Sequence, residues 1–414
     1  MSPGPALLVI LEIVAALAAI LGLGRALAWM LQAAKQPAVM GEMLAGMVLG
    51  PSVLGWLGLR YLGWERGTWL SDEAAAWLGR LAELGAISYL FLMGAEFDSS
   101  RTRAVWQRAA IIALAGIFTP LLLGLAMAHW LHEALDPPPV HWISFALFFG
   151  VALSVTAFPV LARILQDRGM LAAPLGQLAL ACAALADVAA WCLLAIVVAL
   201  VRAEEGQLAA VPLRVALYLA AMLLVARPML HALDRQAGRG GHVMGIVGSV
   251  LVIAGLAALG SHLAGLHGLF GAFLCGVLLP HQGPLAGRLA SGPLRRLPGL
   301  LLPAFFAHAG LRLDLTLISL ADGLLLAAIV AVATAGKLVA TAAAARLCGL
   351  DAWTSGALGI LMNTRGLVEL IVLRAGLELG VLTPRLYSLL VLMALITTFS
   401  TGPLLAWWQR VERG

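Results

Sequence analysis

Asp187 stands in the apolar run Ala183-Ala184-Leu185-Ala186-Asp187-Val188-Ala189-Ala190-Trp191, with no other acid or base between Arg168 and Arg202. A charge in hydrocarbon costs about 2.5–3.5 kcal/mol on insertion scales, so this carboxylate needs a partner or a task. Small neighbours let another backbone approach it closely. Its protonation answers to burial and to nearby cations, which suits a group that holds either a proton or a cation. Ser154-Val155-Thr156-Ala157-Phe158-Pro159 puts a proline inside another apolar stretch. Pro159 removes a backbone donor and frees carbonyls, and an unwound segment there offers carbonyls and the Ser154 and Thr156 hydroxyls to a hard cation. Asn363-Thr364-Arg365-Gly366 is a matching irregularity. An ordinary proline kink explains the first segment alone; two irregular spans at corresponding places argue against it.

Three more charges fall where lipid would not tolerate them. Lys337, in Ala335-Gly336-Lys337-Leu338-Val339, has no acid within reach on its own helix. It snorkels, pairs with an acid on another helix, or sets the charge of an ion site. Arg365 and Glu369 are four apart and share a helix face. That pair suits bracing a broken helix as well as touching a substrate.

Other chemistries find little support. Gly22-Leu23-Gly24 lacks the third glycine and preceding strand of a dinucleotide loop. His262 and His267 are five apart, which misses the i, i+4 spacing of a helical metal pair. His308 precedes Arg312 near a span end, as a structural histidine or a pH sensor. Glu12 and Arg25 in the first span suit helix packing or dimer contacts, and Glu42 suits a helix cap. Cys182, Cys192, Cys275 and Cys348 have neither CxxC nor zinc spacing. No Ser or Cys nucleophile is paired with a His base, so no enzyme, cofactor or resident metal is expected.

The elements that position these residues follow from composition. The 414 residues are 62% hydrophobic and 11% charged, against roughly 45–50% and 25% for soluble domains. At about 20 residues per spanning helix, plus connections, the length suits an all-α polytopic membrane protein. Thirteen spans are predicted near 6–32, 38–55, 80–97, 105–131, 141–165, 172–201, 210–232, 241–261, 263–280, 297–313, 320–346, 352–377 and 382–408. The chain begins without the basic region of a cleavable signal, and no soluble regulatory domain is expected after the last span. Basic residues occur singly, without a basic patch, which argues against nucleic acid.

Alternate connections carry fifteen Lys and Arg on one side, from Lys35 to Arg413, and eight on the other, from Arg60 to Arg385. The excess places the N-terminus outside and the C-terminus in the cytoplasm. The halves also look alike. Leu153-Ser154-Val155-Thr156 matches Leu361-Met362-Asn363-Thr364, Gly94-x-x-x-Asp98 matches Gly310-x-x-x-Asp314, and Gly46 through Pro51 matches Gly276 through Pro280. Each pair is seven spans apart, and an odd separation means opposite topology. Inverted repeats are the architecture of secondary transporters.

Several stretches resemble the second monovalent cation:proton antiporter family. They are Gln36 through Gly46 with Gly50-Pro51-Ser52-Val53-Leu54-Gly55, Phe91 through Asp98, Ser154 through Leu165, and Leu302-Pro303-Ala304-Phe305-Phe306 with Gly310-Leu311-Arg312. The most specific is Met362 through Leu373, similar to the plant cation/proton exchanger branch rather than the Kef potassium-efflux branch. The resemblance covers about 6–400. It implies a sodium/proton antiporter-like fold with two crossing discontinuous helices, a transport core over about 105–201 and 320–408, a scaffold of the remaining helices, and a homodimer moving like an elevator. It puts the ion-binding aspartate on Asp187, the unwound threonine on Thr156 and the core lysine on Lys337. The family usually carries Asp or Asn before that aspartate; here it is Ala186.

The expectation is a multi-pass protein of the cell inner membrane exchanging Na⁺ or K⁺ for protons at Asp187. With a second carboxylate missing at Ala186, exchange is expected to be one for one and electroneutral. The rival readings are a gated potassium channel and a sodium-coupled organic solute symporter on a similar fold.

Overall fold

Inside a bilayer every backbone N–H and C=O must bond within the protein, so the apolar runs close on themselves as helices. The computed structural model describes residues 5–32, 36, 38–61, 69–96, 106–134, 140–202, 210–240, 243–266, 268–280, 283–291 and 296–413. Lys35, Pro37, Arg66, Phe97, Asp98, Arg101, Arg103, His267 and Arg295 lie outside the described residues. Helices are α1 (Pro5–Gln32), α2 (Ala38–Leu49), α3 (Trp56–Tyr61), α4 (Asp72–Glu96), α5 (Trp106–Ala134), α6 (Trp142–Ser154), α7 (Phe158–Asp167), α8 (Pro174–Arg202) and α9 (Ala210–Ala221). They continue as α10 (Arg227–Gly238), α11 (Val243–Leu263), α12 (Gly268–Val277), α13 (Pro284–Ser291), α14 (Arg296–Leu311), α15 (Asp322–Leu347), α16 (Ala352–Met362), α17 (Leu367–Glu378) and α18 (Pro384–Arg413). Single π turns at Pro51–Gly55 and Met222–Ala226 lead into α3 and α10.

Ten helical stretches among the described residues are long and apolar enough to cross a membrane, and α6, α12 and α16 are shorter apolar helices. The protein is thus an all-helical, multi-pass membrane protein. Each predicted span meets a helix or a helix pair, with differences that have local causes. The span predicted from 80 begins at Asp72, because the Glu12 carboxylate accepts from the Ser71 N–H at 3.1 Å and the Ser71 hydroxyl at 2.5 Å just before the first turn. Glu12 therefore anchors the entry of α4. The span predicted over 263–280 shortens to α12, because Gly265 takes a φ of +92° and turns the chain after α11. The spans predicted over 141–165 and 352–377 each divide in two, α6 with α7 and α16 with α17.

The chain forms two compact units: Met1–Asp72 with Thr102–Val197 and Phe306–Gly414, and Glu73–Arg101 with Val198–Phe305. In the first unit, Gly46 of α2 lies against the Ala307 carbonyl, and Gly310 of α14 against the Met43 carbonyl; a Cβ on either glycine would overlap backbone. In the second unit, Gly94 of α4 lies against the Phe273 carbonyl, and Gly276 of α12 against the Phe91 carbonyl, again with no room for a Cβ. Each glycine touches the residue three before its partner glycine. Under the matches Gly46 with Gly276 and Gly94 with Gly310, one crossing maps onto the other, so the inverted repeat is written in backbone contacts. Within the first unit, Arg385 at the start of α18 also pairs with Asp322 at the start of α15.

Gly46→Val and Gly276→Val are expected to destabilise the folded protein by about 1–3 kcal/mol or more through overpacking. Gly22→Ala, where a Cβ meets nothing within 4 Å, is expected to be neutral or stabilising. Thermal unfolding of the purified variants in detergent checks the contrast.

Candidate functional site

Pro159 falls in the first turn of α7, where a missing N–H breaks no helical bond. The break therefore precedes it, over Val155–Ala157. The second break, Asn363–Gly366, lies against the first. The Ala157 N–H donates to the Thr364 carbonyl at 3.0 Å, and the Thr156 hydroxyl donates to the Met362 carbonyl at 3.2 Å. Gly366 makes this approach possible, since a Cβ there would come within 2.5 Å of a Val160 methyl. The two discontinuous helices thus cross at their unwound segments.

Half-helices that stop inside the protein leave orphan groups at the break. At the end of α6, three consecutive carbonyls are taken by cations. Arg365 donates from Nη1 to the Ala152 carbonyl at 2.9 Å and from Nη2 to the Leu153 carbonyl at 2.7 Å, while Lys337 Nζ donates to the Ser154 carbonyl. Positive charge at a helix C-terminus complements the dipole. Arg365 also pairs with Glu369 at 3.2 Å, and Lys337, Arg365 and Glu369 are wholly buried. Lys337 thus meets a carbonyl directly, with Glu369 and Asp187 within electrostatic reach.

At the start of α7 the orphan is an N–H. The Asp187 carboxylate of α8 accepts from the Phe158 N–H, which sets an anion at the positive end of that half-helix. Its Oδ1 is buried with no hydrogen-bond partner among the described residues. The other repeat answers with a hydroxyl: Thr398 of α18 accepts from the Arg365 N–H and donates to the Arg365 carbonyl, both at 2.9 Å. Ser154 donates its hydroxyl to Val151 O at 2.8 Å, and Thr364 donates to Leu361 O at 2.5 Å. A hydroxyl that has given its hydrogen keeps acceptor lone pairs.

Asp187, Ser154, Thr156, Lys337, Asn363, Thr364, Arg365 and Glu369 are therefore brought together within one unit, and all are buried. Glu42 lies apart, within electrostatic reach of Arg25 and Arg163. His308 lies near Arg312 and Arg374, with both ring nitrogens buried and unpartnered among the described residues. No cluster of three or more His, Cys, Asp and Glu fit for a metal occurs among the described residues. Thr398 was not foreseen, although the run Thr397-Thr398-Phe399-Ser400-Thr401 in an apolar helix is a signal that polar groups are needed there.

Arg365→Leu is expected to destabilise the protein by about 3–5 kcal/mol, because Glu369 is left as an uncompensated buried charge. Arg365→Leu with Glu369→Leu is expected to lose less than Arg365→Leu alone. A double-mutant cycle on detergent-solubilised protein reads the coupling.

Comparison with known proteins gives the family and the fold. The family described as "Sodium/hydrogen exchanger, transmembrane" matches residues 13–408. The Na(+)/H(+) antiporter NhaS4 of Synechocystis is 37% identical over 95% of this chain and 96% of its own length. The Cation/H(+) antiporter 19 of Arabidopsis thaliana is 37% identical over 92% of this chain, which spans 47% of that protein. The K(+)/H(+) antiporter 1 of Saccharomyces cerevisiae is 29% identical, and this chain spans 43% of it. The solved structure of the sodium proton antiporter MjNhaP1 from Methanocaldococcus jannaschii at pH 8 shares the fold, with a TM-score of 0.61 at 16% identity over 97% of both chains. With a match from residue 13 to residue 408 and a full-length relative at 37% identity, the chain belongs to the sodium/hydrogen exchanger family.

Proposed function

We propose that the protein is a secondary active antiporter that exchanges Na⁺ or K⁺ for H⁺ by alternating access. The observation that carries this reading is Asp187: a buried carboxylate at the crossing of two broken helices, with one oxygen on the Phe158 N–H and the other unpartnered among the described residues. That oxygen accepts a proton or faces a cation, and competition between the two couples the fluxes. The hydroxyls of Thr156 and Ser154 add ligands. Lys337, Arg365 and Glu369 hold backbone or ion-pair partners at the breaks, and on this reading they keep their charges while Asp187 titrates. The relatives named as sodium/proton and potassium/proton antiporters support the same exchange.

Around this site we propose the family arrangement. Residues 105–201 and 320–408 form the moving core and the other helices a scaffold, in a homodimer embedded in the cell inner membrane. The bias of basic residues puts the N-terminus outside and the C-terminus in the cytoplasm. The outward apolar face of α1, including Leu7, Ile10, Leu11 and Val14, suits lipid or a second copy. Charge balance sets the stoichiometry. Asp187, Glu369, Lys337 and Arg365 sum to zero, and one proton or one monovalent cation adds the same single charge. Ala186 supplies no further carboxylate.

The wild-type protein in proteoliposomes with an internal pH-sensitive dye is expected to move protons against Na⁺ or K⁺, tested alongside Li⁺ and Rb⁺. Asp187→Asn is expected to fold and to lose the exchange. Normal exchange by that variant overturns the assignment of the carboxylate. An imposed membrane potential is expected to leave the wild-type rate unchanged; a potential that drives exchange shows a further titrating group and overturns the one-for-one stoichiometry.

A further inference from the structure

The two broken helices satisfy their inner ends differently. The carbonyls that end α6 receive two basic side chains, Arg365 and Lys337. Those that end α16 receive only neutral donors: Ile360 O accepts from the Asn363 N–H and Leu361 O from the Thr364 N–H, both at 3.2 Å, and Met362 O accepts from the Thr156 hydroxyl. Repeat symmetry would send the Thr364 hydroxyl to Ser154 O, mirroring Thr156 to Met362 O. Instead Thr364 folds back on Leu361 and Lys337 takes the Ser154 carbonyl. The last three carbonyls of α16 thus rest on neutral donors, where those of α6 rest on basic side chains.

Asn363 caps that end of α16. Its side chain is 1% exposed, and both amide atoms lack a hydrogen-bond partner among the described residues. A buried amide left unpaired costs about 1–3 kcal/mol, so a polar group in this position calls for a ligand. On the chain, Asn363 lies between the Met362 carbonyl, held by Thr156, and the Thr364 carbonyl, held by Ala157. The residue after Ala157 is Phe158, whose N–H goes to Asp187. Asp187 Oδ1 and Asn363 Oδ1 are thus two buried oxygens, unpartnered among the described residues, on residues tied to the two breaks that cross here.

The geometry points to Asn363 as a ligand of the transported cation, its amide oxygen and the C-terminal pole of α16 opposing the Asp187 carboxylate across the ion. This rests on the antiport reading above and adds a residue that discriminates between the two loads. A dehydrated Na⁺ or K⁺ needs several oxygens, whereas a proton needs only the carboxylate. Removing the amide oxygen therefore weakens cation binding far more than proton binding. The mobile ion supplies to α16 the charge that Lys337 and Arg365 supply permanently to α6.

The test compares wild type, Asn363→Leu and Asn363→Asp in proteoliposomes, each first shown to elute as one folded species. Asn363→Leu is expected to raise the apparent KM for Na⁺ or K⁺ by about 10-fold or more, the loss of one bond to a charge, with the pH giving half-maximal exchange little moved. Asn363→Asp keeps the oxygen and adds a charge. It is expected to hold the KM at or below the wild-type value and to make exchange respond to an imposed membrane potential. An unchanged cation KM in Asn363→Leu overturns the proposal. Should Asn363→Leu not fold, Asn363→Asp decides: electroneutral exchange with a weakened KM overturns the inference. A wild-type protein that exchanges nothing defeats the antiport reading itself, which separates the two failures.

Discussion

A helix that stops halfway across a bilayer ends in carbonyls that water cannot reach, and the architecture of this protein follows from how one such end is satisfied. The last carbonyls of α6 bond to Arg365 and Lys337, which come from α17's entry and from α15. Those two cations fix the first break against the second, because Arg365 is itself part of the second break. They also require a neutralising acid, and Glu369 supplies it one turn on. With the Ala157 and Thr156 bonds to the second break, that set gives the crossing its place and register.

The same economy operates at the opposite pole. The start of α7 needs an acceptor, and Asp187 provides one with half of its carboxylate. The other half is left for the mobile charge. Structural capping and ion binding are thus joined in a single side chain, which explains why a lone acid can be kept in an otherwise apolar helix. At the second break Thr398 bonds both the N–H and the carbonyl of Arg365, and it cannot hold a net charge. The two repeats share a skeleton and divide the labour: one carries the exchangeable site, the other the braces.

Much of this was legible in the sequence because mid-membrane charges and helix-breaking residues are conspicuous. Asp187, Lys337, Arg365 and Glu369 stand out against lipid, and Pro159 and Gly366 flag the breaks. The pairings were less legible, because backbone carbonyls carry no side-chain signature. Nothing in the letters says that Lys337 would meet Ser154 O rather than an acid. Asn363 was visible only as part of an irregular stretch, since a neutral amide gives no hydropathy alarm. Helix starts slipped where a distant residue supplies the cap, as Glu12 does for Ser71 ahead of α4. The repeat was read from three weak motif matches, and its clearest expression, the reciprocal glycine crossings, needs both partners in view.

Those crossings have a mechanical consequence. Where Gly46 and Gly310 meet, and where Gly94 and Gly276 meet, backbone touches backbone and no side chains interlock at the point of contact. Helices that mesh through ridges and grooves resist turning past one another, because every knob must leave its hole. A contact concentrated at two glycines holds the separation of the axes tightly and their crossing angle loosely. Each unit therefore contains a pivot, a place where a helix pair can rock through several degrees without repacking its neighbours. These close backbone contacts are in this sense also hinges.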